Sequence, residues 1–274
     1  MKHSLSTVPG PLPSWRHPAR VLALGALAVL TCSAAAAQST PRNLLGVGAI
    51  SVAEFEGSAD QAVRPLLIGR LDLGRYGSLR LAGLSVQHNL MSDDSRWAFG
   101  PVLSMRAARD EDVEDAVVRR LREVDGTAEF GAFVEYGFRD TLSQGDRLSV
   151  GAEAKGGKGN QLALTASYQG AKRGAFQYSV DARAVWANDK YMDRYFSVDA
   201  DNSTRSGLPT YVASGGLKSM GLGFTGTYDL NRQWSLIGRL GVTRLVGDAS
   251  DSPIVQLRGD TNAASVGLAI GYRF

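Results

Sequence analysis

Chemistry needs particular side chains at particular spacings, and this sequence offers few. Its histidines number three and its cysteines one. His3, His17 and Cys32 all fall within the first 37 residues, leaving His88 as the sole histidine beyond them. His88 stands in SVQHNL, with Ser85 three residues before it and Asp93-Asp94 just after, which raises a serine–histidine hydrolase. Residues three apart on a strand point to opposite faces, so Ser85 and His88 do not meet there. A zinc site is out of reach with one histidine and no further cysteine. The acidic runs DDS (93–95) and DEDVED (110–115) carry oxygen ligands suited to calcium but lack EF-hand spacing. GAEAKGGKGN (151–160) lacks the G-x-x-x-x-G-K-[ST] register of a phosphate loop. The expectation is therefore no catalytic, metal or cofactor residue, and a protein that is not an enzyme.

The elements come next. Lys2, Arg16 and Arg20 precede the apolar run VLALGALAVLT (21–31), and Ala35-Ala36-Ala37 precedes Gln38. That is the layout of a secretory signal peptide, cleaved between Ala37 and Gln38. The run is too short for a membrane helix, which needs about 20 residues. Cys32 follows the run directly after Leu30-Thr31, which does not fit a lipoprotein cleavage site. The expected organisation is a signal peptide over 1–37 and one domain over 38–274. Residues 1–37 carry three basic side chains and no acid, so the remainder holds 27 of each sign. A neutral chain has no charge surplus for nucleic acid.

From residue 44 onward the dominant pattern has period two. In ASVGLAIGYRF (264–274), Val266, Leu268, Ile270, Tyr272 and Phe274 share one parity, and Gly267, Ala269, Gly271 and Arg273 the other. The same alternation runs through EFGAFVEYGFR (129–139), QLALTASYQ (161–169), AFQYSVDARAVWA (175–187) and MGLGFTGTYDL (220–230). Strands display successive side chains on opposite faces, so each has one apolar and one small or polar face. A soluble sandwich or lipocalin-type barrel would turn the apolar face inward. An outer-membrane barrel turns it toward lipid. Three features favour the membrane: charges of both signs within the polar parity (Asp181/Arg183, Glu153/Lys155), aromatic residues at strand ends (Trp97, Phe138, Tyr168, Trp186, Tyr228, Trp234), and glycine on the polar parity. Hairpin turns fit 73–78, 154–161 and 169–175.

The expected fold is an all-β, transmembrane, antiparallel up-and-down β-barrel of 10–12 strands, with 75–91 and 188–215 the least regular stretches. The strand 264–274 would carry membrane insertion, with lipid and the barrel-assembly machinery as partners. Residues 110–125 break the rhythm: Val113, Val117, Leu121 and Val124 recur at helical spacing, predicting one short amphipathic helix in a connection. It would cap one mouth or dock a partner.

RWAFGPVLSMRAARDEDVEDAV (96–117) resembles a strand and acidic-helix segment of the MipA/OmpV family of outer-membrane proteins. SGLPTYVASGGLKSMGLGFTGTYDL (206–230) is similar to its Ser-Gly-Leu-Pro and Gly-Leu-Lys region, and Tyr-Arg-Phe (272–274) to its terminus. Where the family often shows Pro and Tyr ahead of Gly-Ser-Asp, this chain reads VAEFEGSAD (52–60). The resemblance implies a non-catalytic outer-membrane protein of the Gram-negative cell envelope. In the founding member it implies a scaffold for a membrane-bound lytic transglycosylase and a bifunctional murein polymerase; other members are described as adhesins or as stress- and antibiotic-related surface proteins. A small-solute channel or a surface adhesin is the alternative.

Overall fold

The computed structural model describes residues 43–274; the expected signal peptide, with Ala37 and Gln38, lies outside them. Twelve strands follow in chain order: β1 (Leu44–Ala53), β2 (Gln61–Asp72), β3 (Ser78–Ala82), β4 (Ser85–Asn89), β5 (Trp97–Arg106), β6 (Thr127–Arg139), β7 (Arg147–Gly156), β8 (Asn160–Gln169), β9 (Phe176–Ala187), β10 (Gly216–Asp229), β11 (Trp234–Leu245) and β12 (Asn262–Arg273). Each pairs antiparallel with its chain neighbour, and β1 closes the ring on β12 from Leu44↔Arg273 to Ser51↔Val266. The strand number is the upper end of the expected range. None of the described helices is long and apolar enough to cross a membrane; the strands do the crossing.

The alternation in sequence becomes an inside and an outside. In β5, Trp97, Phe99, Leu103 and Met105 are exposed, while Ala98, Gly100, Val102 and Ser104 are buried. In β12, Val266, Leu268, Ile270 and Phe274 lie on the outer face with half-buried Tyr272, and Gly267, Ala269 and Gly271 on the inner one. An exposed apolar belt around a closed sheet is stable in hydrocarbon, and closure pairs the backbone groups that lipid cannot. The molecule is a transmembrane β-barrel. Small inner residues let the wall close up: a Cβ at Gly131 would collide with the carbonyl oxygen of Ala154 on β7.

The two rims differ. At one, the amide of Phe274 donates to the carbonyl of Asn43, and short turns (73–77, 90–96, 140–146, 170–175, 230–233) join the strands. Of the six strand-end aromatics, only Trp186 is on the opposite rim; the other five ring this one. Trp97 and Tyr136 meet edge-on at 4.8 Å, and Trp234 and Tyr272 meet tilted at 4.9 Å. This is one half of an interfacial girdle.

The opposite rim carries three long connections (107–126, 188–215, 246–261), which fold together with the 54–60 connection into a cap. The stretch 188–215 forms α1 (Asp189–Phe196) and α2 (Ala200–Ser206), and 246–261 forms α3 (Asp248–Asp251) and α4 (Pro253–Arg258). Asn188 and Asp199 cap α1 and α2, their side chains accepting from the amides of Tyr191 (3.1 Å) and Asn202 (2.7 Å). Ser252 caps α4, with Pro253 in the first turn. The cap has its own core: Tyr191, Met192, Phe196, Ala249 and Val255 in one cluster, Val113, Val118, Leu121, Val198, Leu208 and Ile254 in another.

The amphipathic helix expected over 110–125 does not form. The segment holds one 3₁₀ turn, Val118–Arg120. Arg109 and Val124 exchange backbone hydrogen bonds at 2.8 Å, which brings the ends of the segment together. A helix between them would hold those ends roughly 22 Å apart, at about 1.5 Å per residue. The Asp115 carboxylate accepts from the amides of Val117 (2.8 Å) and Val118 (2.9 Å), and the Arg119 guanidinium donates to the Val113 carbonyl, so local polar bonds replace helical ones.

Candidate functional site

Beneath the cap, side chains from five strands, one connection and one helix converge in the lumen. Lys218 is the centre. Pairing between β9 and β10 slips between Leu217 and Ser219, a β-bulge that turns Lys218 inward. Its ammonium donates to Glu56 Oε1 (2.5 Å), Gln161 Oε1 (3.1 Å) and the Tyr191 hydroxyl (3.3 Å), and sits 4.5 Å from the Tyr191 ring centroid. The Tyr191 hydroxyl donates to Glu56 Oε2 at 2.6 Å. Arg106 lies 3.7 Å from Glu56 and 3.0 Å from Glu129, its guanidinium 4.9 Å over the Tyr191 ring. Lys155 pairs with the other Glu129 oxygen at 3.0 Å.

The electrostatics follow from this arrangement. Burial raises the Glu56 carboxyl's proton affinity, but the adjacent Lys218 and Arg106 charges win and hold it down at about 2. Burial and the Glu56 charge push the Tyr191 phenol well above its ordinary value, so it remains a donor. Three cations, two carboxylates and a neutral phenol thus interlock, each charge matched by at least one partner.

Further down the lumen the bridging continues. Glu153 accepts from Arg183 (3.0 Å) and Gln87 (2.8 Å), Arg239 reaches Asp181 (3.3 Å) and Thr225 (2.9 Å), and Glu135 holds Arg147 (3.1 Å) and Arg80 (3.4 Å). The charges singled out in sequence, Asp181, Arg183, Glu153 and Lys155, all belong to these bridges. Between the layers lies a cavity of about 280 Å³. The arrangement can brace the wall and obstruct the bore.

The rim opposite the cap offers a different chemistry. In the turn 140–146 the Asp146 carboxylate accepts from the amides of Thr141 (2.7 Å), Leu142 (2.9 Å) and Ser143 (2.7 Å). Burial opposes ionisation, but these bonds keep that carboxyl below its ordinary range. The fixed turn presents Leu142, 78 % exposed, and Tyr76, Leu90 and Leu230 project from other turns of the same rim.

The residues expected to matter are placed as follows. Val266, Leu268, Ile270 and Tyr272 face outward on β12, and Phe274 follows on the same side just past its end. Val113, Leu121 and Val124 are buried in the cap and Val117 packs against its core, so none is offered to a partner as a helix face. His88 and Ser85 are on opposite faces of β4; His88 Nε2 lies 2.8 Å from the Tyr76 carbonyl oxygen, and Asp93 pairs with Arg70. Asp115 of the acidic run pairs with Arg258 at 2.6 Å. Among the described residues no three acidic, histidine or cysteine side chains gather as a metal site. Lys218, Glu56 and Tyr191 were not anticipated. One signal existed: Lys218 shares the parity of outward Met220 and Leu222, and a lysine facing lipid is costly enough to imply a shift in register.

With that geometry in hand, comparison with known proteins is informative. A family model described as "MltA-interacting protein MipA" matches residues 45–274. No curated protein matches the chain. Among solved structures, an outer membrane channel from Pseudomonas putida F1 is 12% identical, with 87% of this chain and 97% of that one covered at a TM-score of 0.45. The KdgM porin is 8% identical over 84% and 99% of the two chains, TM-score 0.42. The NanC porin is 8% identical over 84% and 100%, TM-score 0.40.

Proposed function

The chain belongs to the MltA-interacting protein MipA family, and on that premise we propose that it is a non-enzymatic outer-membrane barrel that holds a lytic transglycosylase, and through it other murein-remodelling enzymes such as a murein polymerase, at the membrane. The observation that carries this reading is the bridged lumen. Lys218, Glu56, Arg106, Glu129 and Lys155 tie opposite walls together under a packed cap, which suits a rigid anchor better than a conduit. Barrels of this class place their short turns in the periplasm and their longer loops outside. The rim bearing Asn43 and Phe274 then faces the murein layer, and the exposed Leu142, Tyr76, Leu90 and Leu230 along it are the surface offered to the enzyme.

The test is capture of a purified lytic transglycosylase by the full barrel in neutral detergent. Leu142→Asp combined with Tyr76→Asp should weaken capture by roughly tenfold or more, the effect of losing an interface anchor. Leu257→Asp, on the exposed side of the cap, should leave it unchanged. Rim variants that bind as well as the parent, or a parent that captures nothing, would overturn the proposal. Binding lost only in the cap variant would move the docking surface to the cap and overturn the assignment to the turn-bearing rim.

A further inference from the structure

The barrel wall has a notch. β3 and β4 are 5 residues each, whereas β2 and β5 on either side have 12 and 10. β2 pairs with β3 only from Ile68 to Asp72, and the Gly83 amide adds one bond to the Leu67 carbonyl at 2.7 Å. Among the described residues no strand pairs with that edge of β2 nearer the cap. Bonding direction alternates along a strand, so Val63 and Pro65 present their backbone to the notch as Leu67 does. Pro65 has no N–H to leave unpaired, and an open edge is where a strand accepts proline.

The side chains framing the notch are apolar and exposed: Val63 (77%), Leu84 (57%) and Met105 (53%). It therefore opens sideways onto lipid. An open backbone edge at bilayer depth is tolerated where it lines a polar cavity, and there is one behind it. A space of about 540 Å³ runs from Leu84 and Met105 inward to Arg64, Arg106, Arg109 and Lys155. Arg106 and Lys155 are committed to Glu129. Of the other lining carboxylates, Glu56 is held by Lys218, Arg106 and Tyr191, while Glu54 accepts from the Glu114 amide (3.1 Å) and Asp260 from the Asn262 amide (2.8 Å).

Arg64 and Arg109 are left without a carboxylate. Arg64 donates to the Glu54 carbonyl at 3.0 Å. Arg109 is only 8% exposed; its Nη1 donates to the Tyr195 carbonyl (3.0 Å), its Nε is enclosed with no partner, and the Phe55 ring lies 5.8 Å away. A buried guanidinium so poorly matched calls for an anion. We propose that this cavity binds the phosphate or carboxylate head of an amphiphile arriving sideways from the bilayer, with its chain lying across Leu84 and Met105 in the notch.

Native mass spectrometry of the full barrel in a neutral maltoside detergent tests this with dodecyl phosphate, hexadecanoate, inorganic phosphate and dodecanol as separate probes. The two anionic amphiphiles should bind one per barrel and saturate, with inorganic phosphate and dodecanol at least tenfold weaker, since each lacks one half of the recognition. Arg109→Gln should weaken dodecyl phosphate roughly tenfold or more, with Arg64→Gln as a second variant should the first not give the heat-shifted gel mobility of a folded barrel. Inorganic phosphate binding as tightly as dodecyl phosphate would mean a free anion site and overturn the lateral route. Equal binding of dodecanol, or folded Arg109→Gln and Arg64→Gln barrels that bind unchanged, would overturn the headgroup site.

Discussion

Lys218 shows how much a single side chain decides in this lumen. It is fully buried, and Glu56, about a third exposed (32%), looks onto the cavity below. Replacing Lys218 with methionine leaves the Glu56 carboxylate facing Arg106 and Tyr191 alone, which should cost roughly 2–4 kcal/mol in urea unfolding from micelles. The Glu56→Gln, Lys218→Met double variant should recover most of that loss, because no buried charge is then left unmatched. The pH dependence has a definite sign. Glu56 is held at about 2 in the folded protein against an ordinary 4.5, so the unfolded chain takes up its proton first. The stability it contributes is whole above about pH 4.5 and drains away as pH falls toward 2. Asp115 and Asp146, also lowered, act in the same direction. Urea midpoints measured from pH 7 to pH 2 should stay flat and then fall, and Glu56→Gln should make the fall shallower. A midpoint that rises on acidification would contradict this assignment.

The elements were legible to different degrees, for physical reasons. Period-two alternation is imposed by the pleat and by lipid on one side, so β6, β8, β9, β10 and β12 could be read directly. β3 and β4 could not, because five residues carry too little alternation. Their neighbourhood is marked instead by prolines, Pro65 in β2 and Pro101 in β5, where register between β4 and β5 extends over only Ser85↔Ser104 to Gln87↔Val102. The helical spacing of Val113, Val117, Leu121 and Val124 was real as a burial pattern but misleading as a helix, since one loop can turn several side chains into a shared core. That core makes the cap an element in its own right. Phe196, completely buried in it, should cost about 3–5 kcal/mol on truncation to alanine. The loss should be local: limited proteolysis of Phe196→Ala should cut within 188–215 while the strands remain resistant. Simultaneous loss of cap and strands would mean the two fold as one unit.

At the scale of the whole molecule, a sequence with one histidine outside its leader-like segment and balanced charge pointed correctly to a transmembrane barrel, and the family match covers nearly all of it. The partners Lys218 finds in the lumen and the cap were out of reach, because both depend on which elements meet across a closed ring. Those two features separate an anchor from a pore, and single-channel recording in planar bilayers addresses them together. The purified barrel should give no steady conductance steps, whereas a barrel lacking 189–214 and carrying Lys218→Ala should give them. Stable, reproducible steps from the unaltered protein would contradict the account, because ions would then be passing a lumen bridged by ion pairs and covered by the cap.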